Sequence, residues 1–155
     1  MNFVKTFGFI ILSIIFTNDL WSQTANLNEV RNLFQKAAND EKACFDLIDL
    51  LEPVNDKNHL LYGYKGANLM MSANYVLNPF SKLSRFNDGK EMLNTALLVA
   101  GDNVELRFLR FASQKSTPAF LGYNDYLEKD KIFLTNALPN LTDKYLIEQI
   151  RAQLN

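Results

Sequence analysis

Apolar residues recur at helical spacing along most of the chain, and no segment shows the alternation of apolar and polar residues that is typical of a strand. Proline, glycine and short polar side chains separate the apolar segments. This pattern predicts an all-α fold whose helices are joined by short breaks. The predicted helices cover residues 27–38, 41–51, 58–76, 88–99, 102–115, 125–138 and 142–155.

The third predicted helix contains Gly63 and Gly66, although each glycine costs about 1 kcal/mol relative to alanine inside a helix. Both lie on one side of the helix, together with Met70 and Ala73 at helical spacing. We therefore interpret this side as a groove in which a neighbouring helix packs closely. Contact of a ligand with the bare backbone is the alternative.

Residues 77–89 form a predicted connector between the third and fourth helices. The Asn78-Pro79 pair is typical of a break in the chain. The apolar side chains of Phe80, Leu83 and Phe86 indicate that this connector packs onto the domain rather than extending into solvent.

Short polar residues mark the ends of the later elements. Asp102 and Glu105 have the spacing of a capping box, so we expect Glu105 to help begin the fifth helix. Thr117 is predicted to cap a short turn that ends at Gly122. Asn124 is predicted to cap the sixth helix.

The amino-terminal segment, residues 1–22, is typical of a secretory signal peptide. It combines Lys5, an apolar run over residues 7–16 and a more polar end. The run has only about ten residues, whereas a permanent membrane helix needs roughly 20. We therefore predict cleavage near residue 22, a single helical domain over residues 23–155, a periplasmic or secreted location and no permanent membrane anchor. An uncleaved anchor is the alternative.

Charge argues against nucleic acid as a partner. The 155 residues include 16 basic and 17 acidic side chains, for a net charge of −1. Removal of residues 1–22 leaves that net charge unchanged, because the segment contains one lysine and one aspartate. A nucleic-acid-binding domain usually has a basic excess or a basic stripe, and this chain has neither.

The residues that usually carry catalysis are scarce. Cys44 and His59 are the only cysteine and histidine, and they belong to different predicted helices. The chain lacks the metal-binding, phosphate-binding and nucleophile motifs of common enzymes. We therefore predict a non-enzymatic protein without a cofactor or metal, in which Cys44 is a buried apolar residue rather than a reactive thiol.

One polar cluster stands out on the fifth and sixth predicted helices. Arg107 and Arg110 lie together on the side of the fifth helix opposite its apolar face, whereas Asp130 lies within the apolar face of the sixth. A buried carboxylate requires a partner, so we predict that Arg107 or Arg110 reaches Asp130, assisted by Tyr123 or Tyr126. Two alternatives are solvated arginines and a site that binds the anion of a ligand or partner.

Two resemblances extend this interpretation. Residues 65–111 resemble a tetratricopeptide-type helical hairpin, with small residues at Gly66-Ala67 and the sequence Gly89, Leu93, Ala96 in the second helix. The segments NPFSKLSRFNDGKEML, NVELRFLRFASQKSTPAFLGY and DKIFL are similar to a family of small exported bacterial helical proteins that remain uncharacterised. The resemblances imply antiparallel helical hairpins with tetratricopeptide-like packing.

Two non-enzymatic functions follow as hypotheses, and a hydrolase that uses converging carboxylates is the third alternative. By analogy of fold, the first is an exported interaction or scaffold module that binds a protein partner in the cell envelope, and the sequence does not identify that partner. The second is a small-molecule binder with a pocket between the third helix, which contains the glycines, and the aromatic fifth helix.

Overall fold

The computed structural model describes residues 25–155, which form seven α-helices and no strand. The all-α prediction is therefore confirmed for this part of the chain. The predicted signal peptide, residues 1–22, lies outside the described residues. The helices are α1 Leu27–Ala37, α2 Glu41–Leu51, α3 His59–Ser72, α4 Pro79–Val99, α5 Val104–Ser116, α6 Leu127–Ala137 and α7 Lys144–Leu154. Among residues 25–155, none of the helices combines the length and the apolar character required to span a membrane.

Asparagine and aspartate side chains begin most of these helices. Each accepts a backbone N–H that has no partner within the first turn. The residues with this role are Asn26, Asp40, Asn58, Asn78, Asn103 and Asp143.

Three predicted caps were wrong. Asn103 rather than Asp102 caps α5, and α6 begins after Tyr126 instead of at Asn124. Thr117 follows α5, and its hydroxyl donates to the carbonyl oxygen of Ser113 at 2.7 Å instead of capping a turn. Each error is a shift of a few residues, because several short polar residues stand next to one another where these elements meet.

The predicted connector is helical over most of its length. The Asn78 side chain accepts hydrogen bonds from the backbone N–H groups of Phe80 and Ser81, at 2.8 and 3.3 Å. Pro79 occupies the first position of α4, where its missing N–H and fixed φ favour a helix. The Asn-Pro pair therefore begins α4 at residue 79 instead of breaking the chain, and α4 is nine residues longer at this end than predicted.

Glycine contacts fix the antiparallel pair α3 and α4. A Cβ atom added to Gly66 would lie 2.5 Å from the carbonyl oxygen of Gly89, and one added to Gly89 would overlap Gly66 in turn. A Cβ on Gly63 would overlap Leu106 of α5. The predicted groove for a neighbouring helix is thus confirmed, with α4 and α5 as the neighbours.

The core surrounds α3 and α5. α3 packs against α1, α2, α4 and α5, and α5 also contacts α6 and α7. Leu106 and Leu109 of α5 are fully buried, as are Leu93 of α4 and Ile150 of α7. Because α5 has neighbours on several sides, its charged residues Glu105 and Arg110 are buried together with most of its apolar ones.

Candidate functional site

The predicted meeting of arginines and Asp130 occurs between α5 and α6. Arg110 donates from Nε to Asp130 Oδ2 at 2.6 Å and from Nη2 to Oδ1 at 2.9 Å. Arg107 adds a bond from Nη1 to Oδ1 at 2.8 Å. The Asp130 side chain is fully buried. We call Arg107, Arg110 and Asp130 the Asp130 cluster.

The two tyrosines near this cluster contribute differently from the prediction. The Arg110 guanidinium lies 4.1 Å from the centre of the Tyr126 ring, an attractive cation–π distance. The Tyr123 hydroxyl is buried without a hydrogen-bond partner among the described residues. Burial raises the pKa of Tyr123 to about 12, against the influence of Arg110. Tyr126 therefore supports the cluster with its ring, and Tyr123 forms no hydrogen bond to it.

Four N–H groups of the two arginines have partners inside the fold. Three donate to the carboxylate of Asp130, and Arg107 donates from Nε to the carbonyl oxygen of Gly101 at 2.6 Å. These contacts fasten α6 to α5 and to the loop before α5. Binding of an external anion by these arginines stays a prediction.

A second ion cluster, which the sequence analysis did not find, joins α1, α3, α5 and the start of α7. Arg31 donates from Nε and Nη2 to the two oxygens of Glu105, both at 2.7 Å. Its Nη2 also donates to Asp143 at 2.8 Å, and the Tyr64 hydroxyl donates to Glu105 at 2.6 Å. We call Arg31, Glu105, Asp143 and Tyr64 the Glu105 cluster. The capping role predicted for Glu105 was wrong.

The contacts of the Glu105 cluster raise the pKa values of its arginine and its tyrosine. The hydrogen bonds from Arg31 to Glu105 raise the pKa of the arginine above its ordinary value, although burial acts in the opposite direction. Burial, followed by the charge of Glu105, raises the pKa of Tyr64 well above the usual range for a tyrosine. Arg31 therefore stays charged and Tyr64 stays a proton donor over the whole physiological pH range.

Cys44 is inaccessible, as predicted. Its side chain is fully buried, and its thiol lies 3.5 Å from the Oδ1 atom of Asn68. Burial raises the pKa of the thiol to about 11. A neutral, enclosed thiol is a poor nucleophile, so Cys44 functions as a packing residue.

An apolar cavity of about 750 Å³ opens beside α3 and α5. Its walls come from five helices and from the turn after α5. Apolar residues that line it include Phe34 of α1, Met70 of α3, Leu83 and Phe86 of α4, Phe108 of α5 and Leu121 of the turn. The structure thus has an open cavity beside the two helices named in the second functional hypothesis; ligand binding there stays a prediction.

The polar groups of the cavity are mostly neutral. Its amide and hydroxyl groups belong to Gln35, Asn74, Ser113, Ser116, Thr117, Tyr145, Gln149 and Gln153. Among the described residues that line the cavity, Lys82 is the only one with a charged side chain. Such a lining favours a ligand that is largely apolar and that carries a small number of polar atoms.

Exposed apolar side chains surround the mouth of the cavity. Phe120 and Leu83 belong to its lining and are 86% and 49% exposed. Leu77 and Phe80, at the start of α4, are 96% and 85% exposed. Leu98 and Val99 at the other end of α4 are also exposed, at 87% and 66%.

The first two turns of α4 form one wall of the cavity. Pro79, Lys82, Leu83 and Phe86 are spaced three, four and seven residues apart, which brings them to one face of the helix. Sequence analysis missed this wall because it predicted a connector there. The sequence feature that indicates this helix start is Asn78, which can cap a helix, followed directly by a proline, which suits the first helical position.

Comparisons with known proteins gave no match: no protein-family model, no curated protein and no solved structure is detectably similar to this chain. The resemblance to small exported bacterial helical proteins, and the weaker resemblance to tetratricopeptide repeats, therefore remain predictions.

Proposed function

We propose that the protein binds an apolar small molecule in the cavity between α3 and α5. The observation that carries this proposal is the size of the cavity, about 750 Å³, together with its apolar walls. Ligand pockets in proteins typically measure about 300–1,000 Å³ and have the same kind of lining, with few polar groups.

The packing around the cavity supports binding by a preformed site. The wall residues Ala67 and Met70 lie on α3 next to Gly66, which contacts α4 directly. Tyr145 lines the cavity and also lies beneath Arg31, with 4.6 Å between the guanidinium and the ring centre. A site held in this way requires little ordering when a ligand enters, which favours affinity.

Fluorescence of the neutral apolar probe N-phenyl-1-naphthylamine tests the proposal. We expect saturable enhancement with the purified protein and its loss in Ala112→Trp, because residue 112 lines the cavity and an indole there occupies the space. Ala152→Trp is the matched control, since Ala152 is exposed on α7 and does not belong to the lining. Equal binding by both variants, with unchanged melting temperatures, would refute the proposal.

If Ala112→Trp does not fold, Ser116→Trp provides a second test at an exposed lining position. Native mass spectrometry of protein purified from its own organism gives an independent measurement. A ligand that co-purifies with the unmodified protein and is absent from the tryptophan variant supports the same conclusion.

A second candidate function is an interaction module for a protein partner in the envelope, with tetratricopeptide-like packing of its helices. Support for this candidate comes from the exposed apolar residues Leu77, Phe80 and Phe120. Crosslinking in the native envelope should yield one stoichiometric partner that Phe80→Asp eliminates and Lys131→Glu retains. Crosslinks that are insensitive to Phe80→Asp would exclude this surface.

Both candidates are proposed to act after export to the periplasm or the exterior. Support comes from the charged start and the apolar run within residues 1–22. Amino-terminal sequencing of the protein recovered outside the cytoplasm should begin near Gln23. Recovery of the full chain from the membrane fraction would instead indicate an uncleaved anchor.

A further inference from the structure

Lys82 contributes a positive charge to a cavity whose walls are mostly apolar. It is on the same face of α4 as Leu83 and Phe86, so its carbon stem lies along the cavity wall. The residue as a whole is exposed, which puts the ammonium at the mouth rather than in the interior. Within residues 25–155, no carboxylate forms a salt bridge with it.

Other cations in this region have internal partners. Arg85, one turn further along α4, donates to Ser72 at 2.9 Å and lies 5.5 Å from the Phe45 ring centre. The Lys115 ammonium donates to the carbonyl oxygen of Gln153. Lys82 is the cation of the lining, and the described part of the lining contains no acid to neutralise it.

We propose that the ligand is a single-chain amphiphile with one anionic head group, such as a long-chain carboxylate. This inference rests on the proposed function. The chain would lie against the apolar walls, and the carboxylate would meet the Lys82 ammonium at the mouth. Charge complementarity supports this class, because an anionic head encounters one cation and no acid among the lining residues that the structure describes.

Neutral side chains of the lining provide further hydrogen-bond donors. Asn74, which follows α3, lines the cavity, and its amide can donate to a carboxylate in addition to Lys82. A dicarboxylate or a zwitterion would require a second site of charge, and the described lining has none. The structure therefore favours a ligand with a single charge.

Competition against N-phenyl-1-naphthylamine shows whether the cavity prefers an anionic amphiphile or binds any apolar chain. The two competitors are dodecanoate and dodecan-1-ol, which have the same chain and differ in the charge of the head group. Dodecanoate is used below the concentration at which it forms micelles, and dodecan-1-ol below its limit of solubility. We expect dodecanoate to displace the probe at a concentration about twofold to fivefold lower than the alcohol, a range appropriate for one exposed ion pair.

Variants of Lys82 assign the preference to this residue. Lys82→Met keeps the apolar stem and should weaken dodecanoate to the level of the alcohol while leaving the alcohol unchanged. Lys82→Arg should preserve the preference, and Lys82→Glu should reverse it. Lys131→Met is the control, because Lys131 is exposed on α6 and does not line the cavity.

Each result has a defined meaning. Equal competition by the acid and the alcohol, unaffected by Lys82→Met, overturns the anionic class and leaves apolar binding in place. A bound probe that neither competitor displaces overturns the single-chain ligand. Failure of the probe itself to bind refutes the proposed function and this inference with it.

Discussion

The Asp130 cluster and the Glu105 cluster share helix α5 and have opposite compositions. In the first, two arginines share one fully buried carboxylate. In the second, one arginine is shared by two carboxylates, and a tyrosine hydroxyl adds a further donor. Counting only these groups, the first cluster carries an excess positive charge and the second an excess negative charge.

Removal of an acid therefore has different consequences in the two clusters. Asp130 is the sole acid for two guanidinium groups within its cluster, so its removal leaves two cations without their counterion. Arg31 keeps Asp143 when Glu105 is removed. Breaking a buried pair is costly mainly because one charge is left uncompensated, so the two acids should contribute different amounts to stability.

The largest effect is expected for Asp130→Ala. The substitution leaves Arg110 buried without a carboxylate, and we expect a loss of about 3 to 5 kcal/mol in the free energy of unfolding. Urea denaturation measures this loss, with Glu148→Ala on the exposed face of α7 as control. An unchanged midpoint would show that the cluster does not hold α6 to α5.

Glu105→Ala should be the next in size, at about 2 to 3 kcal/mol. Arg31 retains its bond to Asp143, and the main penalties are a weakened pair and a buried Tyr64 hydroxyl without an acceptor. The same urea experiment provides the comparison. A loss equal to or greater than that of Asp130→Ala would contradict the argument from shared counterions.

Tyr64→Phe removes only a hydroxyl from the Glu105 cluster. Glu105 keeps both bonds to Arg31, so we expect a loss of about 1 kcal/mol, typical of one hydrogen bond. In the background of Glu105→Ala, the same substitution should cost less than in the unmodified protein, because the hydroxyl has already lost its carboxylate acceptor. Additive losses in the double variant would mean that the hydroxyl and the carboxylate act independently.

The smallest effect concerns acid pH and Asp143. Partial burial opposes ionisation, but hydrogen bonds from the Leu146 backbone N–H and from Arg31 outweigh it and hold the pKa below its ordinary value of 3.8. A lowered pKa in the folded state contributes stability that is present above pH 3.8 and lost as the pH falls through the folded-state pKa.

Solvent weakens this contribution. The Asp143 side chain is 40% exposed, so we expect it to be worth about 0.5 kcal/mol or less. Asp143→Asn retains a side chain that can cap α7 and should reduce the dependence of the melting temperature on pH as the pH falls below 3.8. An identical pH profile in Asp143→Asn would show that ionisation of Asp143 adds no stability.

The two clusters also differ in how readily they can be predicted from the sequence. The arginines of the Asp130 cluster stand 20 and 23 residues from their partner, on consecutive helices. Helical spacing was enough to show a carboxylate on an apolar face and two cations nearby. Arg31 stands 74 residues from Glu105 and 112 from Asp143, and no local pattern connects such distant positions.

Glu105 shows why the sequence interpretation failed there. Its spacing from Asp102 satisfied a local rule for the start of a helix, and that rule was sufficient to explain an acid at that position. The structure instead caps α5 with Asn103 and buries Glu105 against α1 and α3. The local sequence around Glu105 is compatible with more than one role for its side chain. The packing of helices that are distant in the chain determines which role it has.

The order of the helices was determined by sequence alone, because apolar spacing, glycine and proline act within a few residues of one another. Burial of Cys44 and the close approach at Gly66 also followed from local pattern. The Glu105 cluster and the cavity were decided only by tertiary structure. Both depend on the distances between helices far apart in the chain, and the cavity consists of space that those helices leave unfilled.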